Sequence, residues 1–574
     1  MTTLVILRFL GIFAVYTGVT LALPALMFRR ILRGRSLAEQ FLMCYTFGNF
    51  YIINIVFLLQ LLHISNFFTL AGLTAVLSIV IGGRVNRIPL KQQAGNTWHL
   101  FGKLLRGRMK LKSAIFLFLG KCAEGIKRLA KFFYRHIVKN PIQSMLLLGI
   151  GVCLCWIYGR QIILVYGYRA SDIPVHMSWI NEMSRGKIFA KGVYPFGFHC
   201  MIYYLHAVFR FDTYVILCQF FFAQVIFMHL VLLAMLKQLC KTKYIPYIGT
   251  FVFLLGNFWS GQTYSRFYAT LPQEFGMIFV IPSIYFLIRF FQIPKQKLAD
   301  KETRLTLQCF AMAFSLTLAI HFYGTMIAGL CCIGIACGFC FRFLRKEYFR
   351  RIMFTGICSV FLAVLPMGIA FATGTPLQGS LGWGLSVING GKSSSSTETE
   401  AETDEAETLE VSTGDDKNTV RVVKPDGTVM EIDVSDLPSA QENESGGQTQ
   451  TENTAPAVPK VSFGEKIRKI PGKAKNALSE MSSRILEFII KLDVKNIGYM
   501  ILASFALLLL LGLVFCIFRQ PGYGAMLMSM GFCMWIVTIL LCAGVFGLPP
   551  LMDGARCSIY YVYLLSAALT ALAG

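Results

Sequence analysis

The chain has 574 residues, a formal net charge of +24, 55% apolar residues and 15% charged ones. A mean hydropathy of +0.59 excludes a soluble globular domain. The positive balance is no sign of nucleic-acid affinity, because the basic residues cluster in short stretches between apolar runs, as they do in cytoplasmic loops of membrane proteins.

Stretches such as 4–28, 41–62 and 500–517 reach the ~20 apolar residues that cross a bilayer, and in lipid such spans are helices. The fold class is therefore an all-α polytopic membrane protein, with about thirteen transmembrane helices. The first apolar segment runs into Arg29-Arg30-Ile31-Leu32-Arg33-Gly34-Arg35. It reads as a retained span with the N-terminus outside, not as a cleaved signal. Spans at about 40–62 and 66–83 complete an N-terminal three-helix extension, residues 1–83.

Residues 84–141 form a basic cytoplasmic loop. From Arg84 to Lys139, fourteen Lys and Arg stand against one acid, Glu124. Gly120–Lys139 has one basic and one apolar face, which suits a helix on anionic headgroups or a plain charged loop.

A transmembrane module follows over 142–373. Its spans lie at about 142–166, 213–236, 244–259, 274–291 and 352–373, and Leu305–Phe343 reads as a helix pair turning near His321. Its first outer loop, 169–212, is polar and aromatic. A large outer insert occupies 374–493. Between Gly391 and Ala455 it carries sixteen of the thirty acids against four bases. Such composition buries too little apolar surface to offset ordering entropy, so 391–460 is expected to be mostly disordered. Alternation around Pro425-Asp426-Gly427 predicts a β-hairpin over 419–434, and 463–492 reads as an amphipathic helix broken at Pro471-Gly472. The C-terminal helices, 494–574, comprise spans at about 494–517, 523–546 and 557–573. The last apolar run reaches the final residue, inside, so the chain is expected to continue beyond it.

The seventeen cysteines fall mostly within apolar spans. Cys331, Cys332, Cys337 and Cys340 share one helix without His or carboxylate at ligand spacing, so they read as buried free thiols.

This topology gathers the unusual polar residues on the outer face: Asp172, His176, Glu182 and His199 in the first loop, Arg266, Gln273 and Glu274 in the second, His321 in the third, Asp553 and Arg556 in the last. Few ionisable groups sit at mid-depth, which argues against a proton- or sodium-coupled carrier. In the first loop Ser171 can cap a helix, Pro174 fits its first turn, and Asp172 sits at the positive helix end with His176 one turn on. Gly186 can end that helix, and a second is expected to start near Pro195 with His199 one turn in.

An outer-loop acid followed by Gly186-Lys187-Ile188-Phe189-Ala190-Lys191-Gly192-Val193-Tyr194-Pro195-Phe196-Gly197-Phe198-His199 resembles the opening module of the GT-C glycosyltransferases. The likeness covers residues 142–345. The paired acids of many members are absent, and the N-terminal spans and acidic insert lie outside the common module. The resemblance implies transfer of a sugar from a polyprenyl-phosphate donor to a glycan, lipid or protein acceptor outside the cytoplasmic membrane. It implies Asp172 as the catalytic base, with His176, His199, Arg266, Glu274, His321 and Arg556 binding substrate. A divalent metal on Asp172 and His176 is compatible with it. The plain readings stand beside these: Asp172 as a helix cap, the histidines as interfacial hydrogen-bonding groups, Arg266 and Arg556 as partners of Glu274 and Asp553. Trp179, Tyr203 and Tyr204 read as interfacial anchors. The competing functions are a flippase or transporter of lipid-linked saccharides and a membrane scaffold that recruits partners through the acidic insert. A carrier would show related halves or broken helices, and no repeat is visible.

Overall fold

The computed structural model describes residues 2–87, scattered positions between 95 and 131, 134–165, 167–379, 410–413, 419–423, 429–433, 475–490, 495–518 and 520–574. The chain divides into two compact units, Met1–Asn389 with Gly472–Gly574, and Gly390–Pro471.

The first unit is helical. It runs through α1 (Thr2–Met27), α2 (Leu37–Leu61), α3 (Phe67–Asn86) and α4 (Pro141–Leu164). Two short helices follow, α5 (Ile173–Ser184) and α6 (Gly197–Phe209), then α7 (Thr213–Leu239), α8 (Ile245–Trp259) and α9 (Gly261–Arg266). Next come α10 (Pro272–Gln292), α11 (Lys301–Ile320), α12 (Phe322–Gly338) and α13 (Lys346–Ala372). The unit closes with α14 (475–490), α15 (Lys495–Ile517), α16 (Pro521–Leu541) and α17 (Gly554–Ala573). Among the described residues, eleven of these are long and apolar enough to cross a membrane, while α8 and α12 are shorter apolar helices.

Local chemistry sets the helix starts. Ser36 and Asp212 accept backbone N–H bonds at the heads of α2 and α7, and Asn66 with Thr69 makes a reciprocal cap on α3. Proline occupies the first turn of α4, α8, α10 and α16, where no backbone donor is missed. Helix α7 runs against α2, since Gln238 at its end donates to Ser36 at the head of α2. Gln60 at the end of α2 donates to the Met183 carbonyl near the end of α5. At the opposite end, Lys237 Nζ donates to Tyr247 Oη, which donates to Gln143 Oε1.

Helices α7 and α10 are central, with 89% and 94% of their apolar windows buried, against 17% for α3 and α4 on the rim. Packing between apolar helices in lipid depends on close approach, and glycines permit it here. A Cβ on Gly334 or Gly338 of α12 would meet the backbone of Cys533 or Ser529 on α16 at 2.7 Å or 2.5 Å.

In the second unit, β1 (Glu410–Thr413), β2 (Thr419–Val423) and β3 (Val429–Asp433) form an antiparallel sheet in that order. Val423 pairs with Val429, so β2 and β3 flank the segment read as a hairpin turn; β1 had no counterpart in the sequence reading. That turn, the rest of 391–460, residues 463–474 and nine of the fourteen residues of the basic segment 120–133 lie outside the described residues.

Candidate functional site

The site begins at α5. Asp172 precedes the helix and Pro174 fills its first turn, but no side chain caps it. The Ser171 hydroxyl donates instead to Asp172 Oδ1 at 3.2 Å. This corrects the expectation that Ser171 caps the helix, and it leaves the half-buried Asp172 carboxylate free of capping. Gly186 ends the helix region at a φ of 76°, where glycine carries no Cβ penalty. Helix α6 starts at Gly197, two residues after Pro195, and glycine is needed there because a Cβ would lie 2.7 Å from the Ala319 carbonyl oxygen. That close approach seats His199 beside the end of α11.

His199 Nε2 lies 3.1 Å from His176 Nδ1. Trp179 and Phe196 flank the His199 ring at centroid distances of 5.2 Å and 4.5 Å. Burial pushes His176 down to about 4, with Asp172 opposing the shift and Arg266 adding to it. Burial also holds His199 well below the ordinary imidazole range. Both rings are therefore neutral near pH 7, and one donates to the other.

On α9 and α10, Arg266 Nε donates to Glu274 Oε1 at 2.7 Å, and Arg266 Nη2 to Gln273 Oε1 at 3.4 Å. The Glu274 charge raises the Arg266 pKa. Glu274 Oε2, Gln273 Nε2, Tyr560 Oη and His199 Nδ1 are buried and have no hydrogen-bond partner among the described residues. They are the site's open hydrogen-bonding capacity.

His321 joins α11 to α12. Its Nδ1 accepts from the Tyr323 backbone N–H at 3.3 Å, so in the neutral ring the proton sits on Nε2 as a donor. Burial lowers its pKa to about 3, with Arg556, Arg266 and His176 acting in the same direction. The Arg556 guanidinium lies 5.7 Å from the Tyr323 ring centroid and makes no ion pair with a described residue. Tyr194 stands edge-on to His321 at 6.4 Å and feels both Arg556 and Asp172.

All seven residues singled out from sequence thus meet at one end of the bundle. Arg266 is the ion-pair partner of Glu274, the plainer of the two readings of that residue. His176 Nδ1 is occupied by His199, and among the described residues no group of three His, Cys, Asp or Glu could hold a metal ion. Trp179, Tyr203 and Tyr204 are buried inside the protein, not placed as interfacial anchors; Tyr204 Oη, for one, donates to Thr74 Oγ1. The sequence reading missed Tyr323 and Tyr560. Tyr560 follows Arg556 by one helical turn, a spacing that shares a face. Tyr323 follows His321 by two residues, with no periodic signal.

A segment after α13 closes one side. Val193 N donates to the Pro376 carbonyl and Gln378 N to the Val193 carbonyl, at 2.8 Å and 3.2 Å. Between α12 and α13, backed by α10 and α11, lies a cavity of about 920 Å³ whose walls are apolar, among them Leu287, Phe310, Phe314, Ile333 and Val360. Its lining on α13 runs from Ile352 to Ala372, about 30 Å of helix, and ends four residues before Pro376.

A helical bundle of this kind, with a polar cluster at one end, is a multi-pass membrane protein. No family model, curated protein or solved structure matches the chain.

Proposed function

We propose that this chain is an integral membrane glycosyltransferase of GT-C type. It would move a sugar from a polyprenyl-phosphate donor to an acceptor at the outer face of a bacterial cytoplasmic membrane. In this reading α8 and α12 also cross, giving thirteen spans with the N-terminus outside and the C-terminus inside. The Lys and Arg residues around 29–35, 84–87, 237–243 and 295–304 then face the cytoplasm.

The observation that carries the reading is the assembly itself. An uncapped carboxylate, a histidine N–H donor and an arginine without a described ion-pair partner converge from separate loops, in a bundle that also holds an apolar cavity lined along about 30 Å of α13. Asp172 accepts the proton of the acceptor hydroxyl as that oxygen attacks the anomeric carbon. The sugar–phosphate bond breaks, and the departing lipid phosphate is met by Arg556 and the Nε2 donor of His321. Arg266, held by Glu274, adds positive potential behind them. The apolar cavity takes the hydrocarbon of the carrier.

The test uses purified protein in proteoliposomes with polyprenyl-phosphate-linked hexoses and pentoses, following label in the product. Asp172→Asn should abolish transfer while thermal unfolding stays at the wild-type temperature. Full transfer by that variant would remove Asp172 as the base.

A further inference from the structure

We infer that a second cavity, beside His229 in the middle of α7, is a binding site for a small lipid-soluble molecule that carries a hydroxyl donor. The cavity measures about 240 Å³ and lies between rim helix α4 and central helix α7, closed on one side by Thr250 of α8. Its other walls are apolar, including Leu147, Ile150 and Leu154 from α4 and Phe222 and Ile226 from α7.

His229 is the seventeenth of the 27 residues of α7 and is 1% exposed. A histidine at that depth carries a cost that structures seldom keep without use. Its Nδ1 lies 2.7 Å from the Val225 carbonyl oxygen of its own helix. A carbonyl only accepts, so Nδ1 holds the proton and Nε2 presents a bare lone pair. That Nε2 is buried and has no partner among the described residues. Thr250 cannot supply the missing donor, since its hydroxyl already donates to the Pro246 carbonyl at 2.8 Å.

The site therefore sets one unpartnered acceptor at the wall of an apolar chamber whose remaining donor is the weak thiol of Cys155. Water fits poorly, because an ordered water needs two to four polar partners and the chamber offers few. A phenol or alcohol fits both halves: its O–H reaches His229 Nε2 and its hydrocarbon fills the walls. Entry is from the bilayer past α4, only 17% of whose apolar window is buried. The site lies away from Asp172 and does not depend on the glycosyltransferase reading.

The test is equilibrium binding of tritiated para-propylphenol and of its methyl ether to the purified full chain in detergent, each corrected for partition into micelles. The phenol should bind about tenfold more tightly than the ether, the ratio expected when one buried acceptor is satisfied or left bare. His229→Leu should bring the two ligands to equal affinity. Gly151 lines the cavity, and a Cβ there would meet no atom within 4 Å. Gly151→Leu should therefore fill the chamber without disturbing the fold and abolish binding of both. Equal affinities in the wild type, or undiminished binding in Gly151→Leu, would overturn the assignment.

Discussion

His199 Nε2 and His176 Nδ1 face each other at 3.1 Å, joining helices α5 and α6 inside a wall of aromatic rings. The pair fixes the spacing of the two helices that carry the site, and it does so with both imidazoles neutral. An acid pH therefore works against the fold.

The sign follows from the shift. His176 titrates at about 4 when folded against an ordinary 6.5, so the unfolded chain binds the proton more readily. Its contribution is complete above pH 6.5 and is lost as pH falls towards 4. At about 1.4 kcal/mol per pH unit, the loss is on the order of 3 kcal/mol. Unfolding followed by tryptophan fluorescence in detergent should show a lower midpoint near pH 5 than near pH 7.5. The double variant His176→Gln/His199→Gln should show a smaller difference. An unchanged difference in that variant would assign the pH dependence elsewhere.

A second expectation concerns Glu274. Its carboxylate is 1% exposed and its one described partner is Arg266. Glu274→Gln leaves a guanidinium in a largely buried place without its counter-charge. Breaking a buried pair from one side costs about 3–5 kcal/mol, and partial exposure of Arg266 puts this case near the lower end. Removing both charges in Glu274→Gln/Arg266→Gln should recover part of that loss. A thermodynamic cycle over the four proteins measures the coupling, and a coupling near zero would show that the pair does not hold α9 to α10.

The helical bundle was legible because lipid imposes length and apolarity on each span, and the Arg-rich and Lys-rich stops separate them. The short helices α8 and α12 were harder: at 15 and 17 residues they fall below the usual span length. The site residues were legible as types, since Asp, His and Arg stand out among apolar neighbours. Their pairings were not. His176 and His199 are 23 residues apart, and only tertiary packing through Gly197 brings the rings together. The bond between Val193 and the segment after α13 joins chain positions nearly two hundred residues apart, with no strand pattern to announce it. Tyr560 shared a helix face with Arg556 and could have been found from that spacing alone.

Gly334 and Gly338 test how the bundle supports the site. They bring α12 against α16, and Tyr323 sits near the start of the same helix. Gly334→Val would push a branched side chain into the Cys533 backbone, where nothing flexible can give way. Overpacking of this kind costs about 1–3 kcal/mol or more. The expected result is a lower unfolding temperature and raised accessibility of Cys533 to a thiol reagent. Gly329 lies on α12 with open space around it, so Gly329→Ala should change neither.

Gly192 makes the most specific prediction about the rim of the site. Its φ is 106°, and a Cβ there would lie 2.8 Å from the Gln378 backbone. Any side chain is therefore strained twice, by its own backbone and by contact with the segment after α13. Gly192→Val should release Pro376–Gln378 from Val193 and expose that segment to protease, leaving the membrane helices intact. Limited proteolysis should cut within 375–379 in the variant and spare it in the wild type. Because Val193 precedes Tyr194, which stands edge-on to His321, the same release should loosen Tyr194 and lower sugar transfer in the proteoliposome assay. Cleavage without any loss of transfer would mean that the segment is a tether outside the working site, while cleavage together with loss of transfer would make it part of the wall.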